Sequence, residues 1–145
     1  MDALHFVVEV ELPASRGAVR YIPSFQADLP MFALDMDDMS AFRFGNVSLR
    51  STNSHIEVRV IIIFLYTCAT AKPPQGVIAN TINVHSTNGR ISGTFNTTDS
   101  LKIVATNSPV SVRVGAVNEK PERPTEVFIQ TTNGFVPRSL SPSAY

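Results

Sequence analysis

Apolar and polar residues alternate along four stretches of this chain, and each stretch turns on an asparagine. The stretches read VSLRSTNSHIEV (47–58), INVHSTNGRISG (82–93), LKIVATNSPVSV (101–112) and VFIQTTNGFVPR (127–138). In every copy an aliphatic residue stands six and four positions before the Asn and three positions after it. Val47 and Leu49, Ile82 and Val84, Leu101 and Ile103, and Val127 and Ile129 are each two apart, the spacing that places side chains on one face of a strand. The residues between them are polar or charged (Ser48, Asn83, Lys102), with Phe128 the exception. Alternation resumes after the turn with Ile56 and Val58, Ile91, Gly93 and Phe95, Val110, Val112 and Val114, and Val136 and Leu140. Each unit is therefore predicted to be strand, turn and strand.

The turn residues are Asn53, Asn88, Gly89, Asn107, Asn133 and Gly134. Asn and Gly tolerate positive φ at little steric cost, so Asn88-Gly89 and Asn133-Gly134 are strong turn signals and Asn53-Ser54 and Asn107-Ser108 weaker ones. A small residue two before the Asn (Ser51, Ser86, Ala105, Thr131) predicts a crowded inward position at the bend. Two all-β architectures fit. In a β-solenoid each unit is one coil and equivalent residues stack about 4.8 Å apart, with the Asn amides free to form a ladder. In a β-sandwich each unit is an antiparallel hairpin closed at Asn-Gly. Repetition at near-constant spacing favours the solenoid, because one unit cannot bury its own apolar face.

The intervals between the asparagines are 35, 19 and 26 residues. A coil of about 19 residues is basic to the array. The third interval holds the loop 118–124, whose two prolines and four charges predict a surface excursion. The first interval holds Arg59 to Gly76, RVIIIFLYTCATAKPPQG, which lacks alternation. With it removed, Glu57-Val58 would join Val77-Ile78-Ala79 in one strand at normal coil spacing. It is predicted to be an insertion, a genuine excursion or a translated intron, with a buried strand and loop as the alternative. Upstream, Leu4 to Leu12 reads as a strand, Pro13 to Gly17 as a turn and Tyr21 to Pro30 as extended and irregular. Residues 137–145 read as a disordered tail of this single domain of 145 residues.

Composition narrows function mainly by exclusion. Twelve basic and twelve acidic residues balance to zero, so no basic surplus exists to track a phosphate backbone, and nucleic acid is not an expected partner. A single cysteine, Cys68, excludes an intramolecular disulfide framework and a cysteine-built zinc site. The segment Val60 to Ala71 is shorter than the roughly 20 residues of a membrane span, and no span is expected. The acidic N-terminus reads as no signal peptide. The sequence leaves the compartment undetermined: extracellular or cell-surface if a leader lies upstream, otherwise cytoplasmic.

No catalytic, cofactor or metal site is expected. Asp35, Asp37 and Asp38 lack the ligand spacing and glycine of a calcium loop and read as an exposed acidic turn. His5, His55 and His85 show no second ligand at ligand-like spacing and read as outward polar positions. No nucleophile elbow or phosphate-binding loop occurs. Glu57, Asp99, Glu119, Glu122 and Glu126 fall at different coil positions, which argues against the facing carboxylates of a glycosidase. Asn46-Val47-Ser48 and Asn96-Thr97-Thr98 match the N-glycosylation pattern, which matters only in a secreted chain.

Ser86-Thr87-Asn88-Gly89-Arg90-Ile91-Ser92-Gly93 and Thr131-Thr132-Asn133-Gly134 resemble the coils of the adhesin-type β-solenoid families, domains of unknown function found in bacteria and fungi. The resemblance is strongest over Asn80 to Val114 and spans Phe44 to Val136. It implies a non-enzymatic binding module acting at a cell surface or outside the cell. Glycans or cell-surface proteins are the expected partners, and Arg50, His55, His85, Arg90 and Arg113 a possible binding face. The alternatives are a structural spacer that self-associates through its open coil ends and a degenerate polysaccharide-active β-helix enzyme.

Overall fold

The computed structural model describes residues 10–12, 19–37, 39, 41–59, 77–116 and 122–134. These form eight strands: β1 (Arg20–Asp28), β2 (Leu34–Met36), β3 (Phe42–Ser51), β4 (Ile56–Val58), β5 (Val77–Ser86), β6 (Ile91–Thr106), β7 (Val110–Ala116) and β8 (Glu126–Thr132). Every strand pairing is parallel. A hairpin joins antiparallel strands, so the hairpin-built sandwich is excluded. The chain is a β-solenoid of about four turns.

Three ladders run along it. The first joins the start of β1 to the start of β3, then passes through Phe44, Ala79, Thr97 and Ala116. The second is the widest, with Phe25, Val47, Ile82, Leu101 and Val127 in one row and Ala27, Leu49, Val84, Ile103 and Ile129 in another. The third stacks Leu34, Ile56, Ile91 and Val110, and beside them Met36, Val58, Gly93 and Val112. The inward rows share one core. Phe44, Phe95, Leu49, Ile56, Ile82, Ile91, Leu101 and Ile103 are fully buried within it. Each such side chain contributes about 1.5–3 kcal/mol by leaving water.

The asparagine corner links the second ladder to the third. Asn88 donates from Nδ2 to Asn53 Oδ1 (2.9 Å), Asn107 to Asn88 (3.3 Å) and Asn133 to Asn107 (3.1 Å). The four predicted corners therefore stack, and their amides form the expected ladder. The small residue is buried at three of the four bends, at Ser51, Ser86 and Ala105, and half-buried at the last, Thr131. Ser86 Oγ donates to the Gly89 carbonyl and accepts from the Gly89 amide, closing the bend without an orphaned hydroxyl.

The reason for glycine at this corner differs from the expected one. Positive φ occurs at Asn107 (54°) and Asn133 (58°), and not at Gly89 or Gly134. A Cβ on Gly89 would run into the Ser54 carbonyl of the preceding coil, and one on Gly134 into the Ser108 carbonyl. Close approach of stacked backbones, rather than turn conformation, selects glycine there.

One corner more is present than the four asparagines mark. The segment expected to be irregular, Tyr21 to Pro30, lies mostly in β1 and pairs with β3 from Arg20 to Asp28. Met31 takes the place of the asparagine. Phe25 and Ala27 lie six and four before it and Leu34 three after it, so the apolar positions of the repeat are kept. Asn53 donates from Nδ2 to Met31 Sδ at 3.4 Å, and a thioether has no N–H with which to extend the ladder. In the expected acidic turn, Met36 is in fact a core residue.

Val58 stacks on Gly93 and Val77 on Phe95. Gly93 and Phe95 are separated by Thr94 alone, whereas the chain from Val58 to Val77 includes the expected excursion. That excursion beyond Arg59, the tail at 137–145 and the N-terminal strand up to Glu9 lie outside the described residues, as do His5, Cys68 and Glu119. In the loop 118–124, Glu122, Arg123 and Pro124 are described and exposed.

Candidate binding surface

A parallel strand in a solenoid turns alternate residues outward, and register then sets them in rows across the coils. On the second ladder one outward row is Gln26, Ser48, Asn83, Lys102 and Phe128. The neighbouring row is Asp28, Arg50, His85, Val104 and Gln130. Between these rows lies a shallow groove of about 410 Å³ lined by Ser48, Arg50, Asn83, His85, Lys102 and Val104. Its walls carry a guanidinium, an ammonium and an imidazole, with hydroxyl and amide groups between them. The Lys102 ammonium sits 5.9 Å from the centroid of the Phe128 ring, a cation–π contact at the end of the row.

The five residues expected to form a binding face divide among three places. Arg50 and His85 are neighbours in register and both line the groove. His55 and Arg90 lie beyond the asparagine corner, just before the third ladder. Arg113 is in β7 opposite Thr94. Ser48, Asn83, Lys102 and Phe128 belong to the groove or its rim and were not singled out from the sequence. Aligning the copies on their asparagines would have found them, since they occupy the position five before it in each copy.

A second polar cluster lies at the start of the third ladder. Asp35 and Glu57 are register partners, and His55 Nε2 is 3.2 Å from Asp35 Oδ1. One ligand-type atom from each of Asp35, His55 and Glu57 falls within 4.8 Å of the others. His55 thus has carboxylate neighbours that its sequence spacing does not reveal, and Glu57 stacks on Asp35 rather than on any of the other acids compared with it. Coil stacking creates both relations between residues about twenty apart in sequence. The groups are already engaged with one another. Arg59 Nε lies 3.1 Å from Glu57 Oε1, and that hydrogen-bonded ion pair holds the Glu57 carboxyl below its ordinary pKa and raises that of Arg59. The arrangement is an exposed network of opposite charges.

Of the two glycosylation-type asparagines, Asn46 is exposed, whereas Asn96 is half-buried with its side chain over Gly115. Among the described residues no helix is long and apolar enough to cross a membrane.

The fold defines the class: a parallel β-solenoid, with a shallow groove on its widest face. No family model, no curated protein and no solved structure matches this chain.

Proposed function

We propose that this chain is a non-enzymatic, adhesin-type binding module that engages glycans or cell-surface proteins through the outward face of its second ladder. The observation that carries this reading is the groove between the two outward rows. It gathers hydrogen-bonding side chains from three successive coils at the fixed spacing of the ladder. Such a surface suits repeated weak contacts with an extended partner, in which several modest interactions add to useful affinity. Asp35 and Glu57 are close, but a general acid needs a raised pKa, and Arg59 lowers that of Glu57. A glycan and cell-surface protein screen with the full chain tests the proposal. Binding that weakens in Arg50→Ala and His85→Ala, with the fold intact, is the expected result; unchanged binding in both variants would remove the groove from the account.

One observation favours a structural role as a second reading. Among the described residues strand β8 pairs with β6 on one side only, and Val127 and Phe128 on it are 42% and 50% exposed. An open parallel edge of this kind can template another strand. The ladder ends differently at its two poles, with Met31 at one and the amide of Asn133 at the other. Association through coil ends is therefore expected to use the β8 end. Light scattering over a concentration series should show a dimer lost on Val127→Lys; a strict monomer would dismiss this role.

A further inference from the structure

We propose that the groove on the second ladder selects glycans bearing carboxylate or sulfate groups over neutral ones. This inference rests on the binding function above and narrows its ligand. Arg50 and Lys102 stand on opposite rows of the groove, in β3 and β6, with His85 of β5 between them along the stack. A guanidinium presents a planar fork of donors that matches a carboxylate or sulfate, and an ammonium adds a point charge. Ser48 and Asn83, between these cationic groups, offer the donors and acceptors that sugar hydroxyls require. Phe128 holds the Lys102 ammonium over its ring at the rim.

The acids placed on this face are at its margins. Asp28 precedes Arg50 in its row, and Glu126 stands in the next row opposite Ser100. The middle of the groove, from Arg50 to Lys102, is therefore locally cationic, with Asp28 one strand step beyond Arg50, in a chain that is balanced as a whole. That balance argues for a polymer with spaced anionic groups rather than a nucleic acid. A nucleic acid gains affinity through many phosphate contacts and a large basic surface, and this chain has a net charge of zero. The rows run across the coils, so an extended polysaccharide lying along them would meet a cationic or hydrogen-bonding group at each strand step of about 4.8 Å.

The test compares two forms of one backbone, polygalacturonate and its fully methyl-esterified counterpart, with heparin and single-stranded DNA as further polyanions. Binding of the full chain is measured by biolayer interferometry. The free acid is expected to bind at least about tenfold more tightly than the ester at low salt. The difference should vanish in about 1 M NaCl, where the screening length is about 3 Å. The pair Arg50→Ala and Lys102→Ala should remove the preference, while Arg113→Ala, a cation outside the groove, should leave it. All three side chains are exposed, and thermal melting checks that the variants stay folded. Equal binding of acid and ester with no salt dependence would overturn the selectivity and leave glycan binding standing. Equal capture of DNA and the acidic glycans would overturn it as unspecific charge attraction. Heparin binding without polygalacturonate binding, lost in the double variant, would support the proposal with sulfate as the recognised group. No binding to any glycan would reject the selectivity and the glycan reading together.

Discussion

Asn88 and Asn107 hold equivalent places in one ladder under different backbone constraints. Each donates to the preceding coil and accepts from the following one, but only Asn107 of the two has positive φ, at 54°. Replacing Asn88 by Ala is expected to cost about 1 kcal/mol, since the exchanged hydrogen bonds are exposed to water. Asn107→Ala adds the left-handed penalty of about 1–2 kcal/mol, and Asn107→Gly should recover most of that addition. Urea unfolding of the three variants checks the order, and equal losses at both positions would show that φ is not at issue. Glu57 supplies a pH-linked effect of known sign. Its pKa is lowered in the folded chain by Arg59, so its stabilising contribution is present above the ordinary carboxylate range and is lost as pH falls through the folded value. Glu57→Gln should therefore flatten the acid limb of the melting-temperature profile. The change should be small, because the pair is exposed and screened by solvent.

At the scale of elements, stability should fall from the middle of the stack to its ends. Among the described residues, strands β5 and β6 have neighbours on both sides, whereas β1 and β8 each pair on one side. Leu101 in β6 is fully buried and Phe25 in β1 only partly so. Leu101→Ala is expected to cost about 2–5 kcal/mol. Phe25→Ala should cost less despite its larger side chain; a greater loss at Phe25 would mean that the first coil anchors the fold. Hydrogen exchange should likewise be slowest in β5 and β6. The elements also show what the sequence made legible. The asparagine corners and the apolar rows follow from the repeat itself, whereas the repeat only favours parallel stacking over hairpins and the register decides it. The first coil carries Met31 in place of the conspicuous residue, so only Phe25, Ala27 and Leu34 keep the underlying pattern legible there. Met36 was read with its acidic neighbours, when its stacking on Val58 decides its burial. Phe128 looked like a break in alternation, yet it marks the end of the groove row beside Lys102.

For the whole molecule, stacking is what turns residues distant in sequence into surfaces. Arg50, His85 and Lys102 belong to three coils, and no spacing within one unit brings them together. The same holds for Asp35, His55 and Glu57. A candidate site on a solenoid is therefore read down columns of the aligned repeat rather than along the chain. This is why the core was legible early and the groove was only half seen, through Arg50 and His85. The columns also explain why the remaining candidates do not contribute to it. His55 and Arg90 share a column beyond the corner, and Arg113 lies in another.

The account rests on parallel coils held in register, and the asparagine side chains report that directly. In a nitrogen-edited NOE spectrum of the labelled chain, the side-chain amide protons of Asn88 should show contacts to both Asn53 and Asn107. Strong Hα–Hα contacts between 47–51 and 56–58 should be absent. Loss of the Asn88 contacts together with strong Hα–Hα contacts across that turn would mean antiparallel hairpins, and would contradict the stacked solenoid and every surface derived from it.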